Sequence, residues 1–201
     1  MLEAGFVEAL VNILGRDNVL TGEEDLDRYS ADALTPFRAF RAAAILEQTA
    51  DVVVLSQSTQ QVAEIVNLAS THRVPVVPYD GGTGVMGAAL PVRGGVLVDM
   101  KRLNRVIQVN ATDRTVMVEA STVLEDLARE LKPHGLMPGH YPWSVPIATV
   151  GGAISTNGGY GATGLPATAL WLTKCWVWRW RCPMAGYSPP ALCPSTPRGP
   201  T

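Results

Sequence analysis

The residues best placed to do chemistry in this chain are the glycines of residues 78–87, which read Pro-Tyr-Asp-Gly-Gly-Thr-Gly-Val-Met-Gly. This first loop directly follows an apolar, β-branched run at residues 74–77. Glycine has no Cβ atom, so such a loop can turn several backbone N–H groups toward one point. Converging N–H groups form an anion-binding nest, and phosphate is the usual biological anion there. The first loop therefore predicts a nucleotide-phosphate site.

Residues 82–87 also match the Gly-x-Gly-x-x-Gly spacing of the dinucleotide-binding fingerprint. In a Rossmann fold a helix begins inside this motif, so that its N-terminus meets the pyrophosphate. Here Pro91, Gly94 and Gly95 follow closely and interrupt any such helix. A Rossmann fold is therefore not predicted, and taken alone the loop is equally consistent with a glycine-rich turn between strands.

A second segment of small and hydroxylated residues occupies residues 142–159. Glycines in this second loop allow backbone to approach a ligand closely, and its hydroxyl and amide groups can hydrogen-bond to that ligand. The surrounding residues 139–164 contain few side chains suited to a hydrophobic core. Two such loops in one chain point more specifically to a cofactor site than either loop alone.

Apolar periodicity predicts the elements that position these loops. Residues 2–15 form an amphipathic helix that ends at Gly15, whereas residues 16–42 read as irregular. Ser58 or Thr59 caps a helix between two strands, an order that indicates a βαβ unit with parallel strands. The other predicted elements are strands over residues 51–55, 74–78 and 95–100, a hairpin over residues 105–119, and a helix over residues 122–133 that ends before Gly135.

The two loops, with a hairpin and a helix between them, resemble the FAD-binding PCMH-type domain of the vanillyl-alcohol oxidase superfamily. Within that superfamily the sequence is most similar to the group of the glycolate oxidase large subunit and D-lactate dehydrogenase. The similarity runs from about residue 51 to residue 164. It implies an α+β fold in which two α/β subdomains hold FAD between them, here incomplete at the C-terminus.

The resemblance also implies the residues that contact FAD. The first loop would surround the pyrophosphate, through Pro78, Tyr79, Asp80, Gly81, Gly82, Thr83, Gly84, Met86 and Gly87. The second loop would line the flavin and its ribityl-phosphate stretch, through Pro142, Trp143, Ser144, Ala148, Thr149, Gly151, Gly152, Ser155 and Asn157. Some relatives attach FAD covalently through a histidine in the first loop. Residues 78–87 contain neither His nor Cys, so FAD is expected to be non-covalent.

Three positions depart from the family pattern. Asp80 and Ser121 stand where glycine is usual, and Tyr141 stands where aspartate is common. Asp80 matters most, because a carboxylate beside a phosphate nest opposes the charge of the ligand. Its Cβ also restricts left-handed backbone angles. Both effects are expected to weaken FAD binding.

Other chemistry-bearing side chains have structural explanations. His72, His134 and His140 lack metal-ligand spacing, and the three cysteines match neither zinc knuckles nor redox pairs. A net charge of −2 gives no reason to expect nucleic acid as a partner. The N-terminus lacks a signal-peptide pattern, and no apolar run reaches the roughly 20 residues that span a bilayer. A cytoplasmic protein without a transmembrane segment is expected.

The tail, residues 165–201, differs in composition from the rest of the chain. It contains no Asp or Glu but holds all three cysteines and four of the five tryptophans. Tryptophan is encoded only by TGG, so a frame starting one base earlier reads Leu, Met or Val there. That frame permits a segment of alternating apolar residues ending in Asp-Gly, as a hairpin strand does. The tail is therefore interpreted as out of frame or disordered, with a membrane-surface or partner-binding arm as the alternative.

The resemblance implies the FAD-binding part of a flavin-dependent oxidoreductase, in which a D-2-hydroxy acid such as lactate or glycolate gives a hydride to flavin. Electrons would pass on to an iron–sulfur or other acceptor subunit. The family's catalytic residues lie mostly in a C-terminal domain, so none is named and no turnover is expected from this chain. Alternatives are an inactive truncated fragment and a small FAD reductase of the same fold. The predicted layout is an N-terminal helical lead-in at 1–37, a partial FAD-binding domain at 38–164, and the tail.

Overall fold

The computed structural model describes residues 2–30, 33, 49–140 and 142–156. Three sequence-based interpretations fall outside these ranges: the departure at Tyr141, the predicted FAD contact of Asn157, and the reading frame of the tail. Within the described ranges, no helix has both the length and the apolar character needed to cross a membrane.

The described elements are helices and strands, with four strands in succession after the third helix. The helices are α1 (Ala4–Leu14), α2 (Glu23–Arg28), α3 (Thr59–His72), α4 (Leu124–Leu131) and α5 (Val150–Ser155), with 3₁₀ turns at Arg16–Asn18 and Lys132–His134. The strands are β1 (Val19–Leu20), β2 (Val52–Leu55), β3 (Val76–Tyr79), β4 (Val96–Asp99), β5 (Val106–Asn110) and β6 (Thr115–Val118). The chain therefore has the mixed α and β content that the sequence predicts.

The main sheet has the strand order β1-β2-β4-β3. Strands β2 and β3 are parallel, as predicted, but β4 lies between them and pairs in parallel with both. All four residues of β4 are buried, whereas β3 is only partly buried. A parallel strand covered on both faces is stabilised at the centre of a sheet, which explains why β4 lies inside.

The helices α1 and α3 cover one face of this sheet. Phe6 and Leu10 from α1 and Ile65 from α3 pack against Val52 and Val54, and all five side chains are at most 1% exposed. The alternation of a strand sends Val53 to the opposite face. There it joins a second buried cluster with Tyr29, Ala50 and Leu97.

Local capping agrees with the sequence. The N–H of Gln61 donates to the Ser58 side chain at 3.2 Å, which makes Ser58 the N-cap of α3. Gly15 and Gly135 follow the first helix and the second 3₁₀ turn with φ of 83° and 67°, angles that favour glycine. The hairpin forms as an antiparallel pair of β5 and β6.

One prediction from the sequence is wrong. Residues 16–42 are not wholly irregular, because β1 pairs with β2 and α2 forms within them. A two-residue strand and a six-residue helix are too short to show periodicity, and β1 depends on a partner more than 30 residues away along the chain. The described part of residues 139–164 contributes a few side chains to a core, as the sequence predicts, because Val145, Ala148 and Ala153 are buried with Leu124.

Candidate functional site

The structure brings the two predicted loops into direct contact. The hydroxyl of Thr149 donates to Oδ2 of Asp80 at 2.6 Å, across 69 residues of sequence. At the next position, the Cα of Gly81 lies so close to the carbonyl of Ile147 that a Cβ at residue 81 would collide with that oxygen. One site therefore includes backbone and side chains from both loops.

The first loop emerges from the carboxyl end of β3, beside the carboxyl end of β4. Tyr79 packs edge-on against Tyr29, with ring centroids 5.2 Å apart. The Tyr29 hydroxyl donates to Oδ2 of the buried Asp99 at 2.5 Å. Lys101 places its Nζ 3.3 Å from the same oxygen and 5.0 Å from the centroids of both tyrosine rings. This cluster anchors the start of the first loop.

Tyr29, Asp99 and Lys101 are not predicted from the sequence. Burial, followed by the hydrogen bond to Asp99, raises the pKa of Tyr29 above its usual range, so its hydroxyl still donates at an alkaline pH where a free tyrosine ionises. An aspartate that ends a fully apolar strand is the only local signal of this cluster. Tyr29 and Lys101 carry no comparable pattern, because their roles arise from packing between distant segments.

The middle of the first loop contains the backbone amides for which the sequence predicts an anion-binding nest. Gly82 and Gly87 adopt φ of 62° and 73°, in the left-handed region. A Cβ at Gly82 would lie 2.8 Å from the Tyr79 hydroxyl oxygen. None of the backbone N–H groups of residues 81–87 donates a hydrogen bond to another described residue. The predicted phosphate site would use these donors.

The second loop rests on the segment between β6 and α4. The N–H of Gly151 donates to the Ala120 carbonyl at 2.6 Å, and the N–H of Val150 donates to the Thr122 carbonyl at 3.0 Å. The N–H of Gly152 donates to the Thr149 hydroxyl at 3.3 Å, so Thr149 is the N-cap of α5. A Cβ at Gly151 would lie 2.9 Å from the Ala120 carbonyl oxygen. These amides are thus used inside the protein.

The remaining predicted contacts differ widely in exposure. Met86 and Trp143 are 85% and 86% exposed. Ala148 is buried and contributes to the core beside α4 rather than to an open surface. Thr83, Gly84, Pro142 and Ser144 are half-buried, whereas Pro78 and Ser155 are exposed. The exposed apolar side chains of the two loops could cover a planar ring.

Asp80 does not adopt a left-handed backbone conformation, so the expected strain at its Cβ is absent. Burial raises the pKa of the Asp80 carboxyl, and the Thr149 hydroxyl partly opposes that rise. Ser121, at another departure from the family pattern, lowers the same pKa more weakly. The Ser121 hydroxyl is buried and faces this carboxyl, but its geometry does not complete a hydrogen bond to Asp80 or to another described residue. Asp80 and Ser121 therefore face the same part of the site.

The described histidines do not form a metal site. The described residues hold no group of three or more His, Cys, Asp or Glu side chains placed to bind a metal ion. His72 ends α3 and packs edge-on against Phe6, with ring centroids 5.3 Å apart. Burial lowers the pKa of His140, which favours its neutral form.

Comparison with known proteins identifies a family that includes both loops. Residues 50–169 match the family described as FAD binding domain. Glycolate oxidase subunit GlcD of Bacillus subtilis is 28% identical over 159 residues, which cover 79% of this chain and 32% of the relative. A mitochondrial D-lactate dehydrogenase (cytochrome) of Kluyveromyces lactis is 33% identical over 160 residues, covering 76% of this chain and 27% of the relative.

A solved structure of alkyldihydroxyacetonephosphate synthase matches with a TM-score of 0.68 and 26% identity, over 78% of this chain and 32% of that one. The chain spans about a third or less of the length of these proteins. The family match covers more than half of the chain and includes both loops. This chain belongs to the FAD-binding domain family of the vanillyl-alcohol oxidase type of FAD-linked oxidoreductases.

Proposed function

We propose that this chain is the FAD-binding part of a flavin-dependent oxidoreductase that acts on a 2-hydroxy acid of the D-lactate or glycolate type. The observation that carries the FAD site is the meeting of the two loops at Asp80–Thr149 and Gly81–Ile147. Support for the substrate class comes from the named activities of a glycolate oxidase subunit and a D-lactate dehydrogenase, both partly similar in sequence.

The two loops suit different parts of FAD. Residues 81–87 would hold the pyrophosphate, because their N–H groups are not used by other described residues. The exposed apolar side chains of the second loop, above all Trp143, would lie against the flavin. FAD, when bound, supplies the group that accepts a hydride from the hydroxyl-bearing carbon of the substrate. The protein's part is to bind and orient it.

FAD binding is tested by titrating the full 201-residue chain with FAD and following flavin fluorescence. We expect one FAD per chain. Gly82→Ala places a Cβ against the Tyr79 hydroxyl and strains a backbone φ of 62°, so it should weaken binding about tenfold.

Gly135→Ala is the matched control, because its φ is 67° and a Cβ there meets nothing within 4 Å. It carries the same backbone strain outside both loops, and its Kd for FAD should equal that of the wild type. Equal loss of affinity in the two variants would trace the effect to general destabilisation. Absence of FAD binding by the wild type would contradict the proposal.

The attachment of FAD is tested by denaturing the loaded chain and passing it through a size filter. We propose non-covalent attachment, because residues 78–87 contain no His or Cys. All flavin should then pass through the filter. Flavin that stays with the denatured chain would contradict this proposal and would place the covalent link at a residue outside the first loop.

Turnover separates the candidate functions. With D-lactate or glycolate and a dye acceptor, we expect no dye reduction by the FAD-loaded chain, since no substrate-binding residue is identified in it. Electron transfer to an iron–sulfur or other acceptor subunit is proposed for the full-length enzyme. Flavin bleaching by a reduced nicotinamide cofactor would favour the small FAD reductase instead. FAD binding without any reduction agrees with a fragment that lacks its substrate domain.

A further inference from the structure

The hydrogen bond between Asp80 and Thr149 is the one described side-chain hydrogen bond that joins the two loops. It is short, at 2.6 Å, and both residues are at least half-buried. The adjacent residue Gly81 packs its backbone against the Ile147 carbonyl. Two neighbouring residues of the first loop thus contact two nearby residues of the second loop, which restrains both their separation and their relative rotation.

Thr149 uses its single hydroxyl proton in this arrangement. The single O–H is donated to Asp80, and the oxygen accepts the Gly152 N–H at 3.3 Å. A ligand anion would have to displace Asp80 to receive that O–H, because one hydroxyl has one proton to donate. The structure therefore favours an internal role for Thr149, in which it connects the start of α5 to the first loop.

Two roles for Asp80 can be separated. As a negative charge beside the pyrophosphate loop, it would repel FAD, and any change that removes the charge would tighten binding. As a hydrogen-bond acceptor for Thr149, it would keep the two loops in register, and only changes that remove the acceptor would weaken binding. The charges that act on the Asp80 carboxyl are opposed, because Asp99 and Lys101 influence it in opposite directions.

We propose that Asp80 is a positioning residue whose hydrogen bond to Thr149 holds the second loop against the first and so pre-forms the FAD site. This inference rests on the proposed FAD binding. A site whose walls are already ordered loses less conformational entropy when the ligand binds, so pre-formation raises affinity without a new ligand contact. The positions most affected are the capped start of α5 and the segment around Ile147.

A double-mutant cycle in the full chain tests this role. Asp80→Ala and Thr149→Val each remove one partner, and each should raise the Kd for FAD about tenfold. The double variant should be no weaker than Thr149→Val, because Thr149→Val already lacks the hydrogen bond to Asp80 as well as the cap on the Gly152 N–H. Fully additive losses would overturn the proposal.

The conservative variants supply the rescue. Asp80→Asn keeps an acceptor oxygen and Thr149→Ser keeps the hydroxyl, so both should bind FAD within about threefold of the wild type. Tighter FAD binding in both Asp80→Asn and Asp80→Ala would overturn the positioning role and establish charge repulsion. Asp126→Ala and Thr71→Val are the matched controls, since both side chains are exposed and lie on helices outside the loops.

Hydrogen exchange in the absence of FAD separates this inference from the proposed function. Without the hydrogen bond, the amides of residues 145–152 should exchange about fivefold faster in Asp80→Ala and Thr149→Val. In the two control variants their exchange rates should equal those of the wild type. Unchanged exchange in the loop variants would overturn the positioning role even if FAD binds. If the wild type binds no FAD, the proposed function fails, while hydrogen exchange still decides whether the two loops are coupled.

Discussion

The two loops of the site are held by different means. The first loop continues from a parallel strand of the main sheet and is anchored by Tyr79 against Tyr29, with Lys101 and the buried Asp99 beneath. The second loop has no strand of the main sheet behind it. Its support is a small core around Leu124 and a set of hydrogen bonds to residues 120–125.

The same difference appears in their backbone amides. Those of residues 81–87 donate to no other described residue, while the amides of Val150, Gly151 and Gly152 are all donated inside the protein. A loop anchored by side chains can leave its amides for a ligand, whereas a loop anchored by its amides cannot. The first loop is therefore suited to bind an anion, and the second is suited to present side chains.

The largest predicted effect comes from Gly81→Ala, which breaks the contact between the loops. The new Cβ would collide with the backbone carbonyl of Ile147, which cannot move as a side chain does. We expect the free energy of unfolding to fall by about 3 kcal/mol, at the upper end for overpacking. Urea denaturation measures it.

Gly5→Ala is the control for Gly81→Ala. It makes the same change within α1, where a Cβ meets nothing within 4 Å. It should raise the free energy of unfolding by about 0.5–1 kcal/mol, because alanine favours a helix. Equal stability of the wild type and Gly81→Ala would contradict the close contact of the loops.

Tyr29→Phe tests the anchor of the first loop alone. It removes the O–H that donates to the buried Asp99, so the free energy of unfolding should fall by about 2 kcal/mol. The folded pKa of Tyr29 is raised above its usual value near 10. Wild-type stability should therefore be complete below that pH and decline above it, as the tyrosine ionises first in the unfolded chain. The variant should show a smaller decline in alkaline urea titrations.

Asp80→Asn has a smaller effect that depends on pH. Burial raises the folded pKa of Asp80, so the folded state holds this proton more tightly than the unfolded state. The protonated Asp80 carboxyl therefore contributes to the free energy of unfolding at acid pH. This contribution is lost as the pH rises past the ordinary pKa of a carboxyl group. The stability of Asp80→Asn relative to the wild type should therefore increase from about pH 4 to about pH 7. A difference that is constant with pH would contradict the shift.

The smallest effect on stability is predicted for Trp143→Ala. This side chain is 86% exposed, so the free energy of unfolding should change by no more than about 0.5 kcal/mol. Its proposed role is to present an aromatic surface to FAD, so the variant should quench flavin fluorescence less in the complex. Loss of stability without a change in quenching would assign Trp143 to the fold instead.

Features with a local physical cause could be predicted from the sequence. Three such features depend only on residues close together in the chain. They are the glycine-rich turn of the first loop, the Ser58 cap of α3, and the hairpin of β5 and β6. The absence of a Rossmann helix after residue 87 also followed from Pro91. The choice of fold needed the order of both loops, and the family match agrees with it.

Features that depend on distant partners could not be predicted. Strand β1 exists because Val19 pairs with Val54, and β4 lies between β2 and β3 because it buries both faces. Tyr29 meets Asp99 across 70 residues. The sequence marked Asp80 as a charge that opposes phosphate, and did not indicate its hydrogen bond to Thr149.

By itself, the sequence determined the two loops, because glycine spacing and hydroxyl content are properties of short segments. The resemblance of those loops to a known family predicted FAD as the cofactor. Only the tertiary structure decided which amides remain available, what anchors each loop, and that the Asp80 carboxylate reaches Thr149. Those outcomes depend on burial and on hydrogen bonds between segments many residues apart. A carboxylate has no fixed role in a sequence, since its partner determines whether it repels a ligand or holds two loops together.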